Sequence, residues 1–140
     1  MKARNTDYEA RVRKYLERQN FMHHIHFHLD HIAPGETSGR LKVEDIHKQQ
    51  KGLVHGGVIA TLADIVAGFS AYTLVAADQN VVTGEIKISF LRPAKGEELY
   101  ARGYVLKSGK KINFCEAEVW SIEDQERVLV AKASTSMITI

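Results

Sequence analysis

Residues 52–77 read GLVHGGVIATLADIVAGFSAYTLVAA, a nearly unbroken apolar run that begins behind two adjacent glycines. From Val58 to Ala77 the run is about twenty residues long, which is enough to span a bilayer. It holds six alanines and a single charged residue, Asp64. An aspartate inside a membrane costs about 2.5 kcal/mol or more, and a helix that is apolar on all sides is also typical of one buried in a soluble fold. We therefore predict a buried central helix and no membrane association.

The sequence on both sides of this helix has the pattern of a sheet protein. Residues 7–19 have apolar side chains at helical spacing and predict a short amphipathic helix. Apolar and polar residues alternate from Phe21 to Ile32, as in a strand. Further strands are predicted at 36–43, 81–91, 99–106, 112–121 and 128–140. Since one long helix needs cover on all sides, the strands have to wrap around it.

The predicted fold class is therefore α+β, with an antiparallel sheet of about six strands around one long central helix and a short N-terminal helix. A chain of 140 residues is one domain. We assign residues 1–22 to an N-terminal helical segment and residues 23–140 to the core formed by the sheet and the central helix.

Composition excludes several classes of protein. The chain is 44% hydrophobic and 26% charged, which excludes a disordered or low-complexity protein. A net charge of +2, scattered along the chain, does not indicate a nucleic-acid partner. The single cysteine, Cys115, excludes an internal disulfide and is expected to be a small buried apolar residue. The charged N-terminus has no apolar segment of the signal-peptide type, so we expect a cytoplasmic protein.

Three motifs taken together resemble one known family. VHGG at 54–57, LAD at 62–64 and FLRPA at 90–94 are similar to the hotdog-fold acyl-CoA thioesterases of the PaaI and THEM2 type. The resemblance covers roughly residues 25–138. It implies the hotdog fold, hydrolysis of an acyl-CoA thioester to the acid and free CoA, and no cofactor besides the CoA carried by the substrate. It also implies a homodimer or a dimer of dimers with active sites at the subunit interface.

Two elements of the central helix point to this chemistry on physical grounds. The first amides of a helix carry a partial positive charge, and Gly56 and Gly57 have no side chains to keep a carbonyl away from them. The alternative interpretation is that these glycines only allow a tight turn. Asp64 must face a wet cleft or a hydrogen-bond donor, because a buried unpartnered carboxylate is costly. The resemblance makes Asp64 the catalytic carboxylate, and the sequence leaves open whether it acts as a general base or as a nucleophile.

The spacing of these residues predicts a site shared by two chains. Gly56 and Asp64 are eight residues apart, which is about 12 Å along one helix. Reacting groups must come within about 3–3.5 Å of one another. One helix therefore cannot hold both groups around a single thioester carbon, whereas two antiparallel copies can. We predict a site formed by Gly56 of one chain and Asp64 of the other.

The resemblance suggests roles for further residues, each of which could instead have only a structural or solubilising role. Gln49 is expected to help hold the thioester carbonyl through its side-chain amide, and Thr83 to position the attacking water. His55 is expected to order the loop or to contact substrate. The nucleotide end of CoA is expected beside four basic residues at turns, namely Arg92, Lys107, Lys110 and Lys111. The acyl tunnel is expected to be lined by Ile59, Ile65, Val66, Phe69 and Tyr72.

Three alternatives remain from the sequence. His24, His26 and His28 would share a strand face and could bind a metal, although a solvated or interface face fits them better. A hotdog enoyl-thioester hydratase pairs an aspartate with a later histidine, and no histidine follows Asp64. A protein that binds acyl-CoA without hydrolysing it is the non-enzymatic alternative.

Overall fold

The computed structural model describes all 140 residues and contains one antiparallel sheet and three α-helices. The helices are α1 (Tyr8–Leu16), α2 (Asn20–Ile25) and α3 (Gly56–Tyr72), with a 3₁₀ turn at Asp45–His47. The strands are β1 (Phe27–Ala33), β2 (Glu36–Lys42), β3 (Val81–Phe90), β4 (Glu98–Ser108), β5 (Ile112–Glu123) and β6 (Glu126–Thr139). Their order across the sheet is β1-β2-β4-β5-β6-β3, so β1 and β3 are the edge strands. The predicted six-stranded sheet around one long helix is confirmed.

The central strands alternate buried and exposed residues because one face of the sheet covers α3. In β4 the inward positions include Leu99 and Ala101, both with no exposed surface. Gly103 continues this face where the helix is nearest. A Cβ there would lie 2.4 Å from the carbonyl group of Val66, so only glycine lets the α3 backbone rest directly on the sheet.

The apolar run does not form a single twenty-residue helix. The α3 helix ends at Tyr72, and Leu74 and Val75 are buried in the following turn. Arg11 of α1 donates hydrogen bonds to the carbonyls of Ala76 and Gln79, which ties α1 to this end of α3. None of the helices combines the length and the apolar character that a membrane crossing requires.

The strand predicted to begin at Phe21 is wrong over its first six residues. Residues 20–25 form α2, which buries Met22 and Ile25, three residues apart on one helical face. His26 ends this helix in the left-handed conformation (φ 59°), and the strand begins only at Phe27. His24, His26 and His28 therefore lie in a helix, a cap and a strand and do not share a strand face. The helical segment also continues three residues beyond the predicted boundary at residue 22.

Cys115 lies in the core on β5, as the sequence predicted. Its side chain is almost fully buried, and burial raises the pKa of the thiol from its ordinary value of 9.0 to about 11. The thiol is therefore protonated near neutral pH and is not a nucleophile.

Candidate active site

Asp64 lies midway along α3, half-buried at the rim of a cleft. Its Oδ1 accepts a hydrogen bond from the hydroxyl of Thr83 on β3, with 2.7 Å between the oxygens. No donor of the chain contacts the other carboxylate oxygen. The carboxylate is thus fixed on one side and available to a ligand on the other, which satisfies the requirement that a partly buried acid have a donor or a wet cleft.

A bulge in β3 aims Thr83 at Asp64. The pairing of β3 with β6 shifts between Thr83 and Glu85, at Gly84. Further along β3, Ile86 and Ile88 line a groove with α3 residues, and Phe90 contacts Gly56. In a regular strand these even-numbered side chains and Thr83 would point to opposite faces. The extra residue in the bulge brings Thr83 onto the same face.

The start of α3 leaves one backbone amide without an acceptor. His55 is the N-cap, and its Nδ1 accepts from the Gly57 amide at 2.8 Å. The amides of Val58 and Ile59 donate to the His55 carbonyl. The Gly56 amide has no acceptor in the chain, so it is the amide that remains free at the positive end of the helix. His55 orders this turn, and the Gly57 amide predicted to meet the substrate is already engaged.

Gly56 and Asp64, both on α3, lie beside opposite ends of strand β3. A Cβ on Gly56 would lie 3.4 Å from the Phe90 ring, near the end of β3. Asp64 instead contacts Thr83, near the beginning of β3. Within one chain the free amide and the carboxylate are therefore apart, in agreement with the separation expected from their helical spacing.

Two grooves meet at Asp64. The first, of about 390 Å³, extends toward the C-terminal end of α3 and is lined by Ile65, Phe69 and Tyr72 of the predicted tunnel. The second, of about 350 Å³, extends toward Ala60 and Thr61. Ile59 and Val66, which we also predicted to line the tunnel, are instead buried in the core, because they lie on the face of α3 that packs against the sheet.

Among the lining residues that the sequence did not indicate, three carry polar side chains. Tyr15 and Gln19 reach the first groove from the N-terminal segment, and Asn80 reaches it from the turn before β3. The helical spacing of Tyr15 predicted only an amphipathic helix. Its packing partner Tyr72, with ring centroids 4.8 Å apart, is a long-range contact that no local pattern indicates.

Gln49 belongs to the turn that precedes α3. Its backbone amide donates to the Leu53 carbonyl at 2.8 Å, and its side-chain oxygen accepts from the Lys51 amide. The side-chain NH₂ has no acceptor in the chain and is free to donate, as its predicted role requires.

The four basic residues predicted to bind CoA do not form one cluster. The Arg92 amide donates to the Val130 carbonyl, and the Lys111 carbonyl accepts from the Thr139 amide. Nine residues of β6 separate these points, or about 30 Å at 3.3 Å per residue. Lys107 and Lys110 lie with Lys111 around the β4–β5 turn. In one chain, Arg92 is therefore at the opposite end of the sheet from the three lysines.

Comparison with known proteins identifies the family. The sequence model of the Thioesterase superfamily matches residues 51–128, which is more than half of the chain. Human acyl-coenzyme A thioesterase 13 is 33% identical over 90 residues, an alignment that covers 62% of this chain and 62% of that protein. The 1,4-dihydroxy-2-naphthoyl-CoA thioesterase 2 of Arabidopsis thaliana is 29% identical over 119 residues, covering 81% of this chain and 73% of the relative.

Solved structures agree with the sequence comparison. A thioesterase family protein from Silicibacter pomeroyi superposes with a TM-score of 0.93 and 28% identity, covering 95% of this chain and 98% of that one. The PaaI protein of Escherichia coli superposes with a TM-score of 0.86 at 18% identity, covering 96% and 94% of the two chains, and so shares the fold. With its six-stranded sheet wrapped around one central helix, the chain has the hotdog fold and belongs to the thioesterase superfamily.

Proposed function

We propose that the protein is an acyl-CoA thioesterase that hydrolyses an acyl- or aryl-CoA to the free acid and CoA. The observation that carries this proposal is the Asp64 carboxylate, held by Thr83 on one oxygen and open to two grooves on the other. Two grooves that meet at one carboxylate suit a thioester, which has an acyl group on one side of the reacting carbon and a long thiol on the other. The names of the relatives agree with this substrate class.

In the proposed reaction, Asp64 takes a proton from water while the water oxygen bonds to the thioester carbon. The developing oxyanion accepts a hydrogen bond from the free Gly56 amide, and such a donor contributes about 2.7–4 kcal/mol to transition-state stabilisation. The C–S bond then breaks, the proton taken up by Asp64 passes to the sulfur, and CoA leaves as the thiol. If Asp64 is instead the nucleophile, its oxygen bonds to the thioester carbon, the C–S bond breaks to release CoA, and water then cleaves the resulting anhydride to the free acid and the Asp64 carboxylate. Gln49 would add a second donor to the carbonyl.

The proposed site is completed by a second copy of the chain. Edge strand β3 is exposed on both faces and carries the exposed apolar side chains Val82, Ile86 and Phe90. Antiparallel pairing of two β3 strands about an axis near Ile86 would bring the Phe90 end of one beside the Thr83 end of the other. Because Gly56 lies against Phe90 and Asp64 against Thr83, this pairing would bring Gly56 of one chain toward Asp64 of the other. It would also bring Arg92 of one chain toward the lysine-bearing end of the other.

The experiment is to measure release of free thiol from a panel of acyl- and aryl-CoA thioesters by the wild-type protein and by Asp64→Asn. We expect turnover by the wild type and a loss of about 100-fold or more in kcat for the variant, since general base catalysis contributes about 10²–10⁴-fold. Asp124→Asn, in the β5–β6 turn, is the matched control and should retain activity. Near-wild-type turnover by Asp64→Asn would reject the mechanism, and binding without thiol release would favour the non-catalytic acyl-CoA-binding alternative.

A further inference from the structure

One polar atom in the first groove has no function in the proposed reaction. Tyr72 lines this groove with its side chain 4% exposed, and its hydroxyl is buried without a hydrogen-bond partner. Most buried polar groups in native proteins have a partner, and leaving one without a partner costs stability. An unpartnered hydroxyl in a groove of a binding protein therefore indicates a group that a ligand satisfies.

Burial among its neighbours keeps the Tyr72 hydroxyl a donor. Tyr15 stacks on its ring, Phe69 approaches edge-on with centroids 6.2 Å apart, and the Arg11 guanidinium lies 4.3 Å from the ring centre. Burial raises the pKa of Tyr72 well above its ordinary value. The phenol stays protonated and offers an O–H to an acceptor.

The groove extends along one face of α3 from the carboxylate to this phenol. Asp64 and Tyr72 are eight residues apart, or about 12 Å along the axis, and the side chains of Ile65 and Phe69 lie between them. The groove is thus acidic at the reacting end and apolar in the middle. At the far end it is polar, where Gln19 and Asn80 line it beside Tyr72, whose hydroxyl is buried behind the groove wall.

We infer that Tyr72 is a specificity-determining residue that donates a hydrogen bond to an oxygen at the distal end of the acyl group. The inference rests on the proposed thioesterase function and narrows its substrate class to acyl-CoA thioesters with an oxygenated chain end. The half-buried Tyr15 ring stacks on Tyr72, so the inference requires the Tyr15 side chain to turn aside when such a group enters.

The test compares ω-hydroxyacyl-CoA thioesters of graded chain length with unsubstituted acyl-CoA thioesters of the same lengths. At the length that spans the groove, we expect kcat/KM to favour the hydroxylated member by about tenfold or more, since the free enzyme leaves a buried donor unpaired that only this member satisfies. Tyr72→Phe should abolish the preference. Tyr100→Phe, which makes the same change on the outer face of the sheet, should keep it.

Thermal unfolding of the empty protein separates this role from a structural one. Tyr72→Phe removes a hydroxyl that lacks a partner and should raise Tm, whereas a fall in Tm would show that the hydroxyl stabilises the folded chain and would overturn the inference. Equal kcat/KM within every pair, or a preference that survives in Tyr72→Phe, would also overturn it.

Binding of the same pairs to Asp64→Asn, measured by calorimetry, keeps the inference separate from the proposed function. If the wild type hydrolyses none of the thioesters, the proposed function fails. The inference is then supported if the Asp64→Asn protein binds the hydroxylated member more tightly and the added Tyr72→Phe change removes that preference. It is overturned if either result is not obtained.

Discussion

At the scale of single residues, the site depends on a hydroxyl that holds one carboxylate oxygen. Thr83 donates to Asp64 Oδ1 and leaves the other oxygen free to face water or, in the proposed reaction, the thioester carbon. The sequence indicated both residues, because a lone acid in an apolar helix must have a partner and because the resemblance gave position 83 a hydroxyl role. It did not indicate that the two would contact each other, since this contact depends on a bulge that local spacing does not reveal.

Replacement of Thr83 by valine tests this contact. Valine has the shape of threonine without the hydroxyl, so the carboxylate loses its fixed orientation while the strand is preserved. We expect kcat to fall about tenfold to 100-fold, within the range of a lost charge-assisted hydrogen bond. Thr83→Ser is the matched control, and its hydroxyl should restore most of the rate in steady-state assays. Equal losses in the two variants would show that the hydroxyl is not the group that matters.

The buried Cys115 thiol should make the free energy of unfolding depend on pH in the alkaline range. Because burial raises the pKa of the folded thiol to about 11 from an ordinary 9.0, the folded state holds this proton more tightly than the unfolded state. The resulting stabilisation is complete below pH 9 and is lost as the pH rises toward 11. Urea unfolding of the wild type should show this decline in the free energy of unfolding, and Cys115→Ala should show a smaller one. Identical pH slopes for the two proteins would contradict the assignment.

At the scale of elements, the position of α3 on the sheet depends on one small residue, Gly103. The apolar run and its glycines predicted a buried helix with its start at Gly56, and the alternation of β3 to β6 predicted four strands, all of which the structure contains. Strand alternation failed at residues 21–26, where three histidines among apolar residues fit both periods. A helix prevailed there because it buries Met22 and Ile25 together.

Two glycine substitutions should have opposite effects on stability. A Cβ on Gly103 would lie 2.4 Å from the Val66 carbonyl group, so Gly103→Ala must push α3 off the sheet and should cost about 1–3 kcal/mol or more, as overpacking does. A Cβ on Gly68 would lie 4.0 Å from its nearest neighbour, the Met137 methyl group. Gly68→Ala should therefore stabilise the helix by about 0.5–1 kcal/mol. Denaturant unfolding of both variants checks the signs, and stabilisation by Gly103→Ala would contradict the close packing.

At the scale of the whole molecule, the proposed site belongs to two chains. Gly56→Pro offers a selective way to remove the free amide, because proline is favoured at the first helical position and His55 already has the extended backbone that proline requires before it (φ −64°, ψ 136°). Gly56→Ala keeps the amide and is its control. Both Gly56→Pro and Asp64→Asn should be inactive alone.

Mixing these two inactive variants tests the shared site. A mixed dimer has one site with an intact Gly56 amide and an intact Asp64, and one site that lacks both. Random exchange of subunits should therefore restore roughly a quarter of wild-type turnover if the site is built across a two-fold axis. Thiol release should appear only after the subunits have been allowed to exchange. No recovery in demonstrably mixed dimers would contradict a site shared in this way.

The open edge of β3 also bears on how the newly made chain folds. A strand with unpaired backbone groups and exposed apolar side chains can pair with an exposed strand of another chain. Glu85 and Lys87 flank Ile86 in this strand, and charges in such positions slow unwanted addition without preventing a matched one. A chain whose β3 edge is uncovered is therefore open to aggregation, and we expect the yield of native protein to fall as the chain concentration during synthesis rises.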